Sequence, residues 1–171
     1  MKIQSPTQEM TEFFVTRTKY HISLVLKHMT TLASILPHGE ELIIRGENHD
    51  ESKWSEQEMI PYIWLHHYHK CKKEGNDIVY PPKVQEAIGK AVAHHVANNR
   101  HHYEFHQNPD GITEIDLIEM VCDWTAIAQE HNQDNLSAQQ WANKVVGKTM
   151  ILNSKQSLFL YNTIDILDSI K

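Results

Sequence analysis

The sequence predicts an all-α protein, a compact bundle of seven to nine helices in a single domain spanning residues 1–171. Three observations carry this. Apolar residues recur at helical spacing: Ile22, Val25, Leu26 and Met29; Ile115, Ile118, Met120 with Val121, and Trp124; Leu158, Tyr161, Ile164 and Leu167. Helix-start patterns recur at Ser5–Gln8, Ser55–Glu58, Thr113–Asp116 and Ser137–Gln140. The one strand-like fragment, "DIVYPP" at 77–82, carries two prolines that make it a loop.

In chain order, "SPTQ" puts a cap residue before proline, so a first helix is expected over 6–14 and a second over 17–36, stopped by "LPHG". "HDESK" falls in a short helix over 47–53. "SEQE" reads as a capping box opening 56–73, kinked at Pro61 and closed by "KEGN". A helix over 82–97 follows, then one over 100–107 capped by Asn99 and ended by "NPDG". Helices over 113–131, 138–149 and 154–169 complete the chain.

Apolar residues make up 40% of the 171 and charged residues 22%, as in a globular protein. The net charge of −6 argues against binding a nucleic-acid polymer, which calls for a basic surface. A small phosphorylated substrate needs only a local positive site. Cys71 and Cys122 form neither a metal spacing nor a disulfide framework, which points to a reducing cytoplasm. No apolar run is long enough for a membrane span, and "MKIQSPTQEM" lacks the apolar segment of a signal peptide.

Thirteen histidines stand out. His21 lies within a helix and either packs there or ligates. His49 and Asp50 follow 28 and 29 residues later. "AVAHHVANNRHHYEF" carries the pairs His94–His95 and His101–His102. Asp123 then sits on an apolar helix, where a carboxylate must be paired or must bind a cation. Read together, these residues suit a mixed nitrogen and oxygen shell for a divalent transition metal (Mn, Fe, Zn, Ni or Co). His21, His49, Asp50 and Asp123 would hold one ion. The later pairs would supply a site for a second ion, one of His94 or His95 with one of His101 or His102, and Asp50 bridging.

This order resembles that of the HD-domain superfamily: His, then His-Asp, sometimes further His, then Asp, on a helical core. "HDESK" looks like that superfamily's His-Asp-x-x-Lys, which puts Lys53 beside the substrate. The chain is more closely similar to a small group of bacterial and phage HD-like proteins without a settled activity. That resemblance rests on "KYHI" at 19–22, "HDESKWSEQEMIPY" at 49–62, "HVANNRHHY" at 95–103 and "EMVCDW" at 119–124. It favours His95 over His94 as the inward member of its pair. Arg100 stands where a proline is frequent.

The resemblance implies a metal-dependent phosphohydrolase acting on a nucleotide or similar phosphate ester. Lys53 would be a surface lysine or a charge holding a phosphate oxygen. Glu58 would cap Ser55, act as general acid or base, or support a ligating histidine. Glu119, one turn before Asp123, would bond a ligand histidine. Trp54, Tyr62, Tyr103 and Trp124 would be core or pocket wall. The "LHHYHK" histidines (His66, His67 and His69) would form a solvated face or capture a metal. A branch of the same superfamily implies the alternative of a di-iron oxygenase, and a third class is a non-catalytic metal-binding or interaction protein.

Overall fold

A computed structural model describes residues 3–131 and 137–170, with nothing said of the His131 side chain. Seven α-helices and no strand occur among the described residues: α1 (Gln8–Ala33), α2 (Gly39–Glu47), α3 (Met59–Lys73), α4 (Val84–Asn98), α5 (Glu114–His131), α6 (Ala138–Val145) and α7 (Ser154–Ser169). The expected all-α class is what the chain adopts. Single 3₁₀ turns lie at Glu51–Trp54, Tyr103–Phe105 and Pro109–Gly111. No helix among the described residues is long and apolar enough to cross a membrane.

The chain divides into two compact units. One holds the chain up to Tyr20 together with Asp50–Asn99, the other His21–His49 together with the chain from Arg100 onward. In the first, Met10 and Phe14 of α1 pack with Tyr62, Ile63 and Trp64 of α3 and Val84 and Ala91 of α4. In the second, Val25 and Met29 of α1 and Leu42 of α2 join α5, α6 and α7 in one cluster. Residues 115–126 of α5 are buried without a break. A helix enclosed on all sides is normally apolar throughout, so Asp116, Glu119 and Asp123 within it need specific partners.

Several local expectations are corrected. Residues 6–14 and 17–36 are not two helices but one. Met10, Phe14, Thr18, His21, Val25, Met29 and Leu32 are all buried at steps of three or four, so the stripe runs through the polar "TRTK". The Thr7 hydroxyl, not Ser5, accepts the Met10 amide at the start. Residues 47–53 are not an α-helix. The helix there is α2, which ends at Glu47, and the chain turns through Asp50 in the left-handed region (φ 59°) into a 3₁₀ turn. Pro61 stands in the first turn of α3, where its missing amide costs no helical bond. Residues 100–107 are a turn and a 3₁₀ turn. Asn99 ends α4 rather than capping a new helix. The Thr113–Asp116 box forms as expected, each residue's amide bonding the other's side chain, and Ser137–Gln140 does the same. "DIVYPP" is a loop.

Candidate metal centre

In the second unit, α1 contributes His21, the residue two past the end of α2 is His49, and α5 contributes Asp123. All three are buried, at 6%, 2% and 8% exposure. His21 Nδ1 bonds Glu130, and His49 Nδ1 donates to Glu119 Oε1 at 2.8 Å. With its proton held at Nδ1 by a carboxylate, each ring presents its Nε2 lone pair on the other side. The two Nε2 atoms lie 3.3 Å apart, and Asp123 Oδ1 lies 3.0 Å from that of His21 and 3.8 Å from that of His49.

The separation of the two nitrogens matches an edge of a metal coordination shell, and the two separations to Asp123 lie within about half an ångström of it. Two imidazole nitrogens bound tetrahedrally at about 2.0–2.1 Å stand about 3.3–3.4 Å apart. A carboxylate on the outer nitrogen of each ring is the usual support of a ligating histidine. A proton on one Nε2 satisfies a single contact with Asp123, whereas a divalent cation satisfies all three donors at once. The residues present therefore fit a transition metal.

Electrostatics agree. Burial would raise the Asp123 carboxyl, but hydrogen bonds with His21 and His49 outweigh it and hold the group well below the usual carboxylate range. Glu119 is lowered in the same way, burial being overcome by His101 and His49. Burial, with Glu119 and Asp123 nearby, pushes the Cys122 thiol up. His101 is buried, its Nδ1 3.2 Å from Glu119 Oε1 and its ring 4.4 Å from that of His49. His49, His101 and Glu119 form a second possible donor set, one atom from each lying within 4.8 Å of the others. Arg45 also donates to Glu119, and a guanidinium already on that carboxylate favours a supporting role over ligation.

Arg100 has a clear function here. Its Nε and Nη2 each bond Asp116 at 2.9 Å, and Arg45 reaches the same carboxylate at 3.1 Å. Asp116 is fully buried.

In the first unit a different constellation forms. Glu58 is fully buried and accepts from His94 Nδ1 at 2.7 Å and His95 Nδ1 at 2.9 Å. It stands at the N-cap of α3 but its side chain makes no cap bond, so the capping-box reading of Ser55–Glu58 is corrected. Ser52 Oγ and Asn99 Nδ2 flank His95 Nδ1, and Asn99 donates to Ser52 at 2.7 Å. His95 Nε2 thereby faces Asp50 Oδ1 at 3.2 Å, and Lys53 Nζ donates to Asp50 Oδ2 at 2.5 Å. Lys53 is mostly buried and lies 5.7 Å from the centre of the Tyr62 ring, not out on the surface. Burial, then Glu58 and Asp50, push the Tyr62 hydroxyl up, so it stays protonated. As expected, His95 is the inward member of its pair and His94 is half-buried.

Of the residues singled out in the sequence, the second unit brings together His21, His49, His101 and Asp123. The first brings together Asp50, Lys53, Glu58 and His95. His102 is half-buried, its ring 4.3 Å from that of His101. Among the "LHHYHK" residues, His66 packs on Phe14 at 5.2 Å and His67 approaches Cys71 at 3.6 Å, so that face is only partly solvated. Sequence reasoning missed Glu130, Arg45, Asp116 and Ser52. One signal was available: Asp116, Glu119, Asp123 and Glu130 follow at steps of three, four and seven, a carboxylate stripe on one helix face.

Comparison with curated proteins finds no match, and comparison with solved structures finds none. A family model does match, over residues 10–166, which takes in every residue of both clusters; the chain belongs to DUF5662, described as a family of unknown function.

Proposed function

We propose that the protein is a metal-dependent phosphohydrolase acting on a nucleotide or related phosphate ester. The observation that carries this reading is the convergence of His21 Nε2, His49 Nε2 and Asp123 Oδ1, with both Nδ1 atoms on buried carboxylates. When bound there, a divalent transition ion (Mn, Fe, Zn, Ni or Co) supplies a Lewis acid and brings the pKa of a water toward neutrality. His21, His49 and Asp123 would hold it. Glu130 and Glu119 fix the tautomers and orient the rings. Asp50 and His95 offer a second nitrogen and oxygen pair, oriented by Glu58. Lys53, steadied on Asp50, adds a compact positive charge beside that pair.

The HD-like motifs support hydrolysis as the reaction class. The alternative of a di-iron oxygenase is favoured by one observation, the Asp50–His95 pair of the first unit, which suits a second ion. Both cysteines are buried and free, which supports the cytoplasm as the compartment.

The test is phosphate release from a panel of nucleotides and sugar phosphates by protein loaded with Mn or Co under anaerobic conditions. The hydrolase reading expects turnover without oxygen. Turnover only with ferrous iron and oxygen would replace it with the oxygenase reading. No turnover in either arm would leave a metal-binding protein.

A further inference from the structure

A cavity of about 320 Å³ lies in the second unit, within the size range of small-molecule sites. Its apolar wall is Met120, Trp124 and Ile127 of α5, Trp141 and Val145 of α6, and Met150. Its polar wall includes Asp123, His101, His102 and Glu104. Asp123 therefore belongs to two features at once, the carboxylate of the candidate metal cluster and part of the cavity lining. A substrate whose phosphate lies at the cluster would extend its organic part into this space.

The lining selects what that part can be. Among the described residues no lysine or arginine lines the cavity, whereas Asp123 and Glu104 do. A chain of phosphates there would meet like charge in a partly desolvated space. A flat uncharged ring meets two indoles instead. Trp124 and Trp141 have centroids 6.5 Å apart and planes 32° from parallel. Lys144 lies 5.9 Å from the centre of the Trp141 ring, which helps to hold its orientation. Stacking on such rings suits any base, while Glu104 and His102 supply hydrogen-bonding groups for a ring edge.

We infer that this cavity binds the aromatic ring of the substrate, a nucleobase or comparable heteroaromatic group, and that the preferred substrate is a monophosphate rather than a polyphosphate. The inference rests on the phosphohydrolase reading for the phosphate, but not for the ring. Two variants probe it. Trp141→Ala removes a stacking face. Thr149→Trp fills the cavity from an exposed lining position and leaves the core alone.

The experiment uses the metal-loaded full chain. Calorimetry follows adenosine, which has no phosphate. Kinetics compares adenosine monophosphate, adenosine triphosphate and ribose 5-phosphate. The expected result is adenosine binding that weakens about five- to 150-fold in Trp141→Ala and is lost in Thr149→Trp. The monophosphate should show a KM lower than that of ribose 5-phosphate by a similar factor, and the triphosphate should be the poorer nucleotide. Adenosine binding that responds to both variants, with no phosphate release from any ester, would remove the hydrolase reading and keep the ring site. Equal KM for adenosine monophosphate and ribose 5-phosphate, with no adenosine binding, would overturn the ring site and keep the hydrolase. Absence of both binding and turnover would overturn both.

Discussion

Replacing Gly46 with alanine tests how the chain sets His49 against His21. Gly46 lies in the last turn of α2, three residues before His49, and an added Cβ would come 3.1 Å from Leu26 Cδ1, 3.1 Å from Met29 Cβ and 3.2 Å from Leu26 Cα. Two of those atoms belong to, or sit directly on, the α1 backbone and cannot rotate away. Alanine gains about 0.5–1 kcal/mol over glycine inside a helix. Overpacking costs about 1–3 kcal/mol. Because the contacts are rigid, the net loss falls at about 1–2 kcal/mol, or about 2–8 °C in Tm for a chain of this size. The control is Gly89→Ala in α4, where a Cβ meets nothing within 4 Å. There only the helix gain remains, and Tm should rise by about 1–4 °C. Thermal unfolding of both variants, with metal titrations alongside, decides the matter. Metal affinity should weaken in Gly46→Ala and stay unchanged in Gly89→Ala. A Gly46→Ala protein as stable as the parent would refute the close contact and the positioning drawn from it.

Three further outcomes are expected. Glu119→Gln should weaken metal affinity about 10–100-fold by competition titration, since a supporting group on His49 is changed while the ligands remain; unchanged affinity would make Glu119 a packing residue only. For Asp116, burial works to raise the pKa, but hydrogen bonds from Arg100 and Thr113 outweigh it and the carboxyl is lowered. Its stabilising contribution is therefore present above the unfolded value of about 3.9 and is lost as the pH falls through the lower folded value. In acid titrations of stability, Asp116→Asn should be less stable than the parent near neutrality and should lose less stability below about pH 4; parallel curves would contradict this. Lys53→Met should keep fold and metal content but lose about 10²–10³ in phosphate release, with little recovered by Lys53→Arg; an unchanged rate would take Lys53 out of the reaction.

The helical class was legible because apolar spacing and caps agree along most of the chain. The carboxylate of Asp123 in "EMVCDW" was legible as a site residue because a buried acid must be compensated. What could not be read was the partner of each group. Glu130 reaches His21 across 109 residues and Glu58 reaches His94 and His95 across 36 and 37, and nothing local marks such pairings. Glu58 was left between a cap and a histidine partner because a Ser-x-x-Glu pattern fits a capping box equally well. The helix α2 was missed because it is nine residues long with only Leu42 and Gly46 buried, too short for a periodic signal. The left-handed backbone at Asp50 also leaves no trace in sequence, since aspartate serves in turns and caps as well.

The most direct test of the central claim is anomalous X-ray diffraction from crystals grown with an excess of Mn, Co or Zn. The account predicts a peak at bonding distance from His21 Nε2, His49 Nε2 and Asp123 Oδ1, with Glu130 and Glu119 still on the two Nδ1 atoms. A map with no peak there, and His21 joined to Asp123 as a simple ion pair, would contradict it.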